Sequence, residues 1–175
     1  MHKPLAIALA CLLVHLMAPG TLHARSLSEP ELKAAFIYNF VQFTTWPSGL
    51  LAQAEALNIC VRPDAPVALA LATLSGKTVH GVPLAVTAVT EERLPSCHVL
   101  FVEAADIALL KKVSDVAAPL PILTLADLPD ASSAEPMIRL WLEGRKIVFD
   151  VNASEARRSR LAISSRVLAL ARSVK

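Results

Sequence analysis

The sequence has 175 residues, of which 54% are hydrophobic and 18% charged, with a formal net charge of +2. That length supplies one domain's worth of material. The near-neutral balance excludes the broad basic field that attracts nucleic acid or an anionic membrane surface.

Residues 1–24, "MHKPLAIALACLLVHLMAPGTLHA", read as a secretory signal peptide. Lys3 is the positive n-region and Leu5 to Ala18 the apolar core; Pro19 and Gly20 break the helix, and Ala24 is the small residue at the cut. The apolar core is too short to span ~30 Å of hydrocarbon, and no later apolar run approaches the ~18 residues that would. A short membrane anchor is the alternative. Cys11, in "ALAC", raises lipid modification, but Ala stands where such a box takes Leu. Cleavage near Ala24 leaves residues 25–175 as a single exported domain, with 16 Lys and Arg against 15 Asp and Glu.

Ser28, three residues before Glu31, marks a capping box. Pro30 is tolerated in a first helical turn, where its missing N–H has no intrahelical partner. A helix is predicted over 29–43. The segment "KAAFIYNFVQFTTWP" holds five of the chain's eight aromatic residues: Phe36, Tyr38, Phe40, Phe43 and Trp46. Phe36, Phe40 and Phe43 share a face by their spacing, and Tyr38 looks sideways. Pro47 biases Trp46 toward an extended backbone and ends the helix. Most of these rings read as core. Tyr38 and Trp46 are candidate partner contacts, because Trp and Tyr are favoured interface anchors.

Leu57–Arg62 reads as a short strand and "APVALALATLSGK" as a helix that Gly76 ends. "VPLAVTAVT" is strand-like. In "SCHVLFVEA" the unbroken apolar run Val99–Val102 fits a strand buried on both faces. "ADIALLKKVSDVAA" is an amphipathic helix, with Ile107, Leu110 and Val113 inward and Lys111, Lys112 and Asp115 outward; "LPILTLAD" is the next strand. Alternating strands and helices are the pattern of parallel βαβ units. "MIRLWLEGRKIVFDV" then alternates Ile138, Leu140, Leu142 and Ile147, Phe149, Val151 around Gly144, an antiparallel hairpin. Asn152, three residues before Glu155, caps another helix. "AISSRVLALARSV" is predicted to close the chain as a helix carrying Val167, Leu168, Leu170 and Ala171. The expected architecture is α/β and three-layered: helices on both faces of a mixed sheet, with an antiparallel C-terminal hairpin and the opening helix packed beside the final one.

No convergent catalytic, cofactor-binding or metal-binding set emerges. The chain has no Gly-rich phosphate loop and no G-x-S-x-G elbow. Gly49, Gly76, Gly81 and Gly144 are too few and too scattered for a nucleotide cradle. His98 follows Cys97, but neighbours along a strand point to opposite faces and share no proton easily. Glu91 and Glu92 read as an exposed loop pair, and Asp127 and Asp130 as turn formers. His80 and His98 lack the paired spacing of zinc ligands. Cys60 and Cys97 are the two cysteines beyond the leader, and an even count in an exported protein points to a disulfide. Such a bridge would stabilise by ~4 kcal/mol in the chain-entropy picture; two buried free thiols are the alternative. In "ISSR", residues 163–166, Ser164 and Ser165 either cap the last helix or join Arg166 in holding an anion. Arg62, at a strand's end, stands where ligand groups gather in open α/β sheets. Arg157, Arg158, Arg160, Arg166, Arg172 and Lys175 cluster late in the chain, as a solvated face or a docking patch.

The leader, "KAAFIYNFVQFTTWP", the strand with Cys60, "SCHVLFV", "PILTLAD", "MIRLWLEGRKIVFDVN" and "ISSRVLALAR" together resemble the YfiR family of periplasmic regulators. Their order and spacing carry the resemblance over most of residues 25–175. It implies an α/β domain that binds the periplasmic sensor domain of an inner-membrane diguanylate cyclase and holds it off. Release then raises cyclic di-GMP and favours biofilm formation. It also implies an outer-membrane lipoprotein that sequesters the repressor and a disulfide where Cys60 and Cys97 fall; no cofactor is expected. A second cysteine pair of some members is missing here. Pro136 stands where the family often has Gly, and Lys146 is an extra residue after the hairpin turn.

Three functions compete on these grounds. The first is a non-catalytic periplasmic repressor acting by protein contact, with homodimerisation compatible. The second is a small-ligand sensor or solute-binding component, for which the chain is short because such proteins usually close two lobes around a cleft. The third is an exported hydrolase or thiol oxidoreductase, for which the chain lacks a C-x-x-C pair and a triad.

Overall fold

The computed structural model describes residues 27–115, 120–128 and 135–175. The predicted leader, with Cys11, and Asp130 lie outside the described residues. The first helix, α1 (Glu29–Gln42), begins as its sequence dictates. Ser28 is the N-cap, and the Glu31 carboxylate accepts from the Ser28 backbone N–H at 2.8 Å, closing the capping box. The chain continues through β1 (Thr44–Thr45), β2 (Leu57–Val61), α2 (Ala68–Ala72), β3 (Thr78–Val79), β4 (Val82–Ala88), β5 (Val99–Glu103), α3 (Ile107–Ser114) and β6 (Leu123–Asp127). It ends with β7 (Ile138–Glu143), β8 (Lys146–Val151), α4 (Ala153–Arg158), β9 (Ala162–Ile163), α5 (Ser165–Leu168) and β10 (Ser173–Val174).

Eight strands form one mixed sheet in the order β10-β8-β7-β6-β5-β2-β4-β3. Neighbours from β7 to β4 are parallel, whereas β7–β8 and β3–β4 are antiparallel. Alternation along the strands sorts side chains into two cores. Leu57, Ile59, Val99, Phe101, Leu123, Leu125 and the inward residues of the hairpin face α1 and α2. Cys60, Leu100, Val102, Ile122 and Ala126 face α3, through Leu110 and Val113. The run Val99–Val102 is at most 1% exposed at each position, as a central strand covered on both faces requires. The hairpin turns at Gly144-Arg145 between the paired Glu143 and Lys146. Gly144 has φ +63°, the left-handed conformation a two-residue reversal uses at that position.

The aromatic crowding is core building. Phe36, Phe40 and Phe149 meet edge to face, with the Phe40 and Phe149 centroids 4.9 Å apart. Each buried Phe contributes ~1.5–3 kcal/mol relative to exposure. The rings hold α1 on the sheet although no strand of the eight-stranded sheet precedes it in the described chain.

The chain's end differs from the predicted helix. Only one helical turn forms, at Ser165–Leu168, and Leu170 is 77% exposed. The segment beyond runs parallel to β8 as β10. The Arg172 N–H donates to the Phe149 carbonyl at 2.8 Å and the Lys175 N–H to the Val151 carbonyl at 2.9 Å. The unpaired edge of β8 satisfies backbone groups that a longer helix would have satisfied internally, and that pairing covers the edge. The helix predicted from "APVALALATLSGK" is likewise only five residues long. The final helix shares the larger core with α1 through Val167 and Leu168. α2 and β8 pack against α1, while the end of α1 is tied to the closing segment through β1–β9 pairing and the Ser164 N–H, which donates to the Phe43 carbonyl at 2.8 Å.

Candidate functional site

From β2 the chain crosses to β4 on one side and then to β5 on the other, so strand order reverses between β2 and β5. The crevice outside the carboxyl ends at such a switch is where open α/β sheets place ligands. Three ionisable residues of this chain meet there from separate elements: Glu103 at the end of β5, Asp127 at the end of β6, and Lys33 on α1.

Lys33 is 8% exposed because the first turns of α1 lie over the ends of β5 and β6. Its ammonium donates to both Glu29 and Asp127. Burial alone would pull the Lys33 pKa down; the hydrogen bonds to Asp127 and Glu29 outweigh it and hold the group above its ordinary value. Glu103 has no hydrogen bond or ion pair among the described residues. Burial, then the Asp127 charge, pushes its carboxyl above the usual range. Together these side chains line a notch of about 380 Å³ with three carboxylates and one already bonded ammonium. The notch adjoins, across Pro30 and Pro66, an apolar trough of about 570 Å³ between α1 and α2.

The residues singled out from sequence do not converge. Cys60 and Cys97 form a disulfide, with Cα atoms 5.8 Å apart and residues 0% and 4% exposed. It joins β2 to the turn before β5 in the smaller core. Trp46, a contact candidate, is 6% exposed in this fold, and its indole N–H donates to the Pro121 carbonyl at 3.1 Å. Tyr38 is half-buried, with the Lys77 ammonium 5.1 Å from its ring centre. Arg62 does not offer a free guanidinium. Its Nε donates to Asp64 at 2.9 Å and its Nη1 to Asp106 at 3.2 Å, so the chain's own carboxylates fill it. In "ISSR" the Ser164 hydroxyl accepts from the Arg166 N–H at 3.3 Å, a helix cap. Ser165 is exposed, and the Arg166 guanidinium lies 5.9 Å from the Phe43 ring centre.

Two further polar sites stand apart. At the opposite, amino-terminal end of the parallel strands, His98 accepts the Asn58 backbone N–H on Nδ1 at 3.0 Å, and burial lowers its pKa. It borders a cleft of about 480 Å³ with Leu50, Glu55, Asn58, Leu120 and Pro121. At the hairpin, Asp150 accepts from Arg139, Arg172 and Ser173. The Arg139 and Arg172 guanidinium carbons lie 5.1 and 4.4 Å from the Trp141 ring centre.

Sequence reasoning missed Lys33 and Glu103 and took Asp127 for a turn former. A lone Lys on the core side of an apolar helix, four residues after Glu29, was the available signal.

The fold and the bridge between Cys60 and Cys97 accord with a match of residues 30–172 to the YfiR/HmsC-like family. The chain belongs to the YfiR/HmsC-like family. A search of curated proteins found no match. Among solved structures, a conserved domain protein from Vibrio cholerae O1 biovar El Tor strain N16961 is similar, with a TM-score of 0.52 and 12% identity. The similarity covers 86% of this chain and 61% of that one, so the chain spans about three-fifths of that protein's length. At that identity the likeness speaks for the fold alone. Among the described residues of this YfiR/HmsC-like chain, no helix is long and apolar enough to cross a membrane.

Proposed function

We propose that the protein is a periplasmic regulator that binds the sensor domain of an inner-membrane diguanylate cyclase and represses cyclic di-GMP synthesis by contact, without turnover of its own. The observation that carries this reading is the family match over residues 30–172. A buried disulfide suits an oxidising compartment. On this reading residues 1–24 are a cleaved leader, residues 25–175 form one YfiR-like domain, and an outer-membrane lipoprotein is the sequestering partner. A bound repressor shifts the cyclase only as far as its affinity for the inactive state exceeds that for the active one. The function therefore requires a shaped, complementary surface and no reactive group.

The test pairs binding with physiology. Purified protein is mixed with the periplasmic domains of the host's membrane cyclases, and cyclic di-GMP is measured after gene deletion. Binding together with raised cyclic di-GMP supports the reading; no binding and an unchanged level overturns it.

A ligand-sensing role is favoured by the cleft beside His98, which combines an imidazole with apolar walls. Calorimetry with amino acids and nucleotides tests it, and a ligand found there would tune the repressor.

A further inference from the structure

We propose that the trough between α1 and α2, together with the acidic notch at the carboxyl ends of β5 and β6, docks one amphipathic helix of the partner protein, with apolar side chains in the trough and a Lys or Arg against Glu103. The inference rests on the regulator reading and assigns the surface and chemistry that it leaves open.

Single exposed hydrophobic residues are ordinary on a protein surface. Here, two of the four large exposed hydrophobics among the described residues line one concavity: Leu27, 60% exposed, and Leu69, 82% exposed. The floor between them is cut low by the small side chains Ala34, Ala35 and Ala70. The walls are helices. No strand edge offers backbone donors and acceptors, so the fitting guest brings its own satisfied backbone, as a helix laid in a groove does.

The notch sets the polarity of the guest. Glu29 and Asp127 are engaged with Lys33, whereas Glu103 has no hydrogen bond or ion pair among the described residues, feels the Lys33 and Arg62 charges only at a distance, and is held partly out of water. A cationic side chain entering there gains a charge-assisted hydrogen bond and relieves repulsion between Glu103 and Asp127. Among the described residues no group of three or more His, Cys, Asp or Glu could hold a metal ion. A second copy of this chain is a poor guest. Among the described residues Lys33 is the one basic residue lining either concavity, and it is engaged by Glu29 and Asp127. A two-fold contact brings the same patch against itself, and the described residues of that patch offer Glu103 no uncommitted cation. Charge complementarity therefore selects a different protein that is basic at one end of its apolar stripe.

The test uses the full-length exported protein, the periplasmic domains of the host's membrane cyclases as probes, and titration calorimetry. Leu69→Glu and Glu103→Lys alter exposed or half-exposed side chains, and unchanged melting temperatures confirm folding. Each is expected to weaken binding at least tenfold, and Leu170→Ser, remote and exposed, to leave it unchanged. Glu103→Gln is expected to weaken binding less and to flatten its salt dependence. If the wild type binds and both trough variants bind equally well, the docking surface is overturned and the regulator reading stands. If Leu69→Glu changes only self-association, measured by light scattering, the surface is a contact between copies and the proposal fails. If no cyclase domain binds the wild type, the regulator reading fails and this inference with it.

Discussion

Lys33 and Asp127, 94 positions apart in the chain, meet as an ion pair that fastens the first helix to the carboxyl end of a core strand. The Lys33 side chain is 10% exposed and that of Asp127 18%, so water screens the pair weakly. Removing one partner of such a pair leaves an uncompensated charge, at a cost of about 3–5 kcal/mol when fully buried. Lys33→Ala is therefore expected to destabilise the fold by ~2–4 kcal/mol. Lys33→Met combined with Asp127→Asn should recover most of that loss, because neither charge is then stranded. Urea unfolding of the two variants beside the wild type checks this; equal instability of the single and double variants would contradict it.

The Cys60–Cys97 bridge closes a separation of 37 residues between the two cysteines. Its removal should cost ~2–5 kcal/mol. Cys60→Ser with Cys97→Ser, or reduction by dithiothreitol, should lower the urea midpoint while leaving the far-ultraviolet spectrum of the surviving folded state unchanged.

Trp46 couples burial to one hydrogen bond. Trp46→Phe keeps most of the packing and strands the Pro121 carbonyl, an expected loss of ~1–3 kcal/mol. Trp46→Ala should cost ~3–5 kcal/mol. Acrylamide quenching of the Trp141→Phe variant, in which Trp46 is the remaining indole, should report a shielded ring; free access of quencher would contradict the placement.

Asp150 links stability to acid. Burial alone would raise its pKa, but hydrogen bonds from Arg139, Arg172 and Ser173 outweigh it and lower the value from 3.8 to about 2. A carboxyl depressed on folding contributes stability that is fully present above its unfolded pKa, and the contribution is lost as pH falls through the folded pKa. Stability should thus decline between about pH 4 and pH 2, and Asp150→Asn should flatten that part of the profile in thermal melts. An unchanged slope would remove Asp150 as a cause.

The closing strand β10 covers the edge of β8. A chain truncated after Ala171 loses the Arg172 and Lys175 hydrogen bonds and exposes that edge. It is expected to melt lower and to self-associate, read by light scattering.

Much of the fold was legible because its signals are local. The capping box at Ser28 and Glu31, the period-two hairpin around Gly144 and the unbroken Val99–Val102 run each state their own geometry within a few residues. What local signals left open turns on distant partners. "SSRVLALARSV" has the composition of a helix, yet its second half pairs with β8, because that edge was free and the chain could reach it. Arg62 has the position of a ligand group, yet Asp64 and Asp106 occupy its donors. Trp46 has the identity of an interface anchor, yet Pro121 lies within reach of its N–H.

Sequence alone determined the order of the main strands and helices as far as the hairpin and the helix after it, the two-faced burial of the central strands and the pairing expected of the two cysteines, since periodicity, capping and residue count act over short distances or need no geometry. Tertiary structure alone decided which charges meet. Lys33, Glu103 and Asp127 converge because the first helix lies over the ends of two parallel strands, and which carboxylate finds an ammonium there, and which is left without one, depends on contacts between residues far apart in the chain.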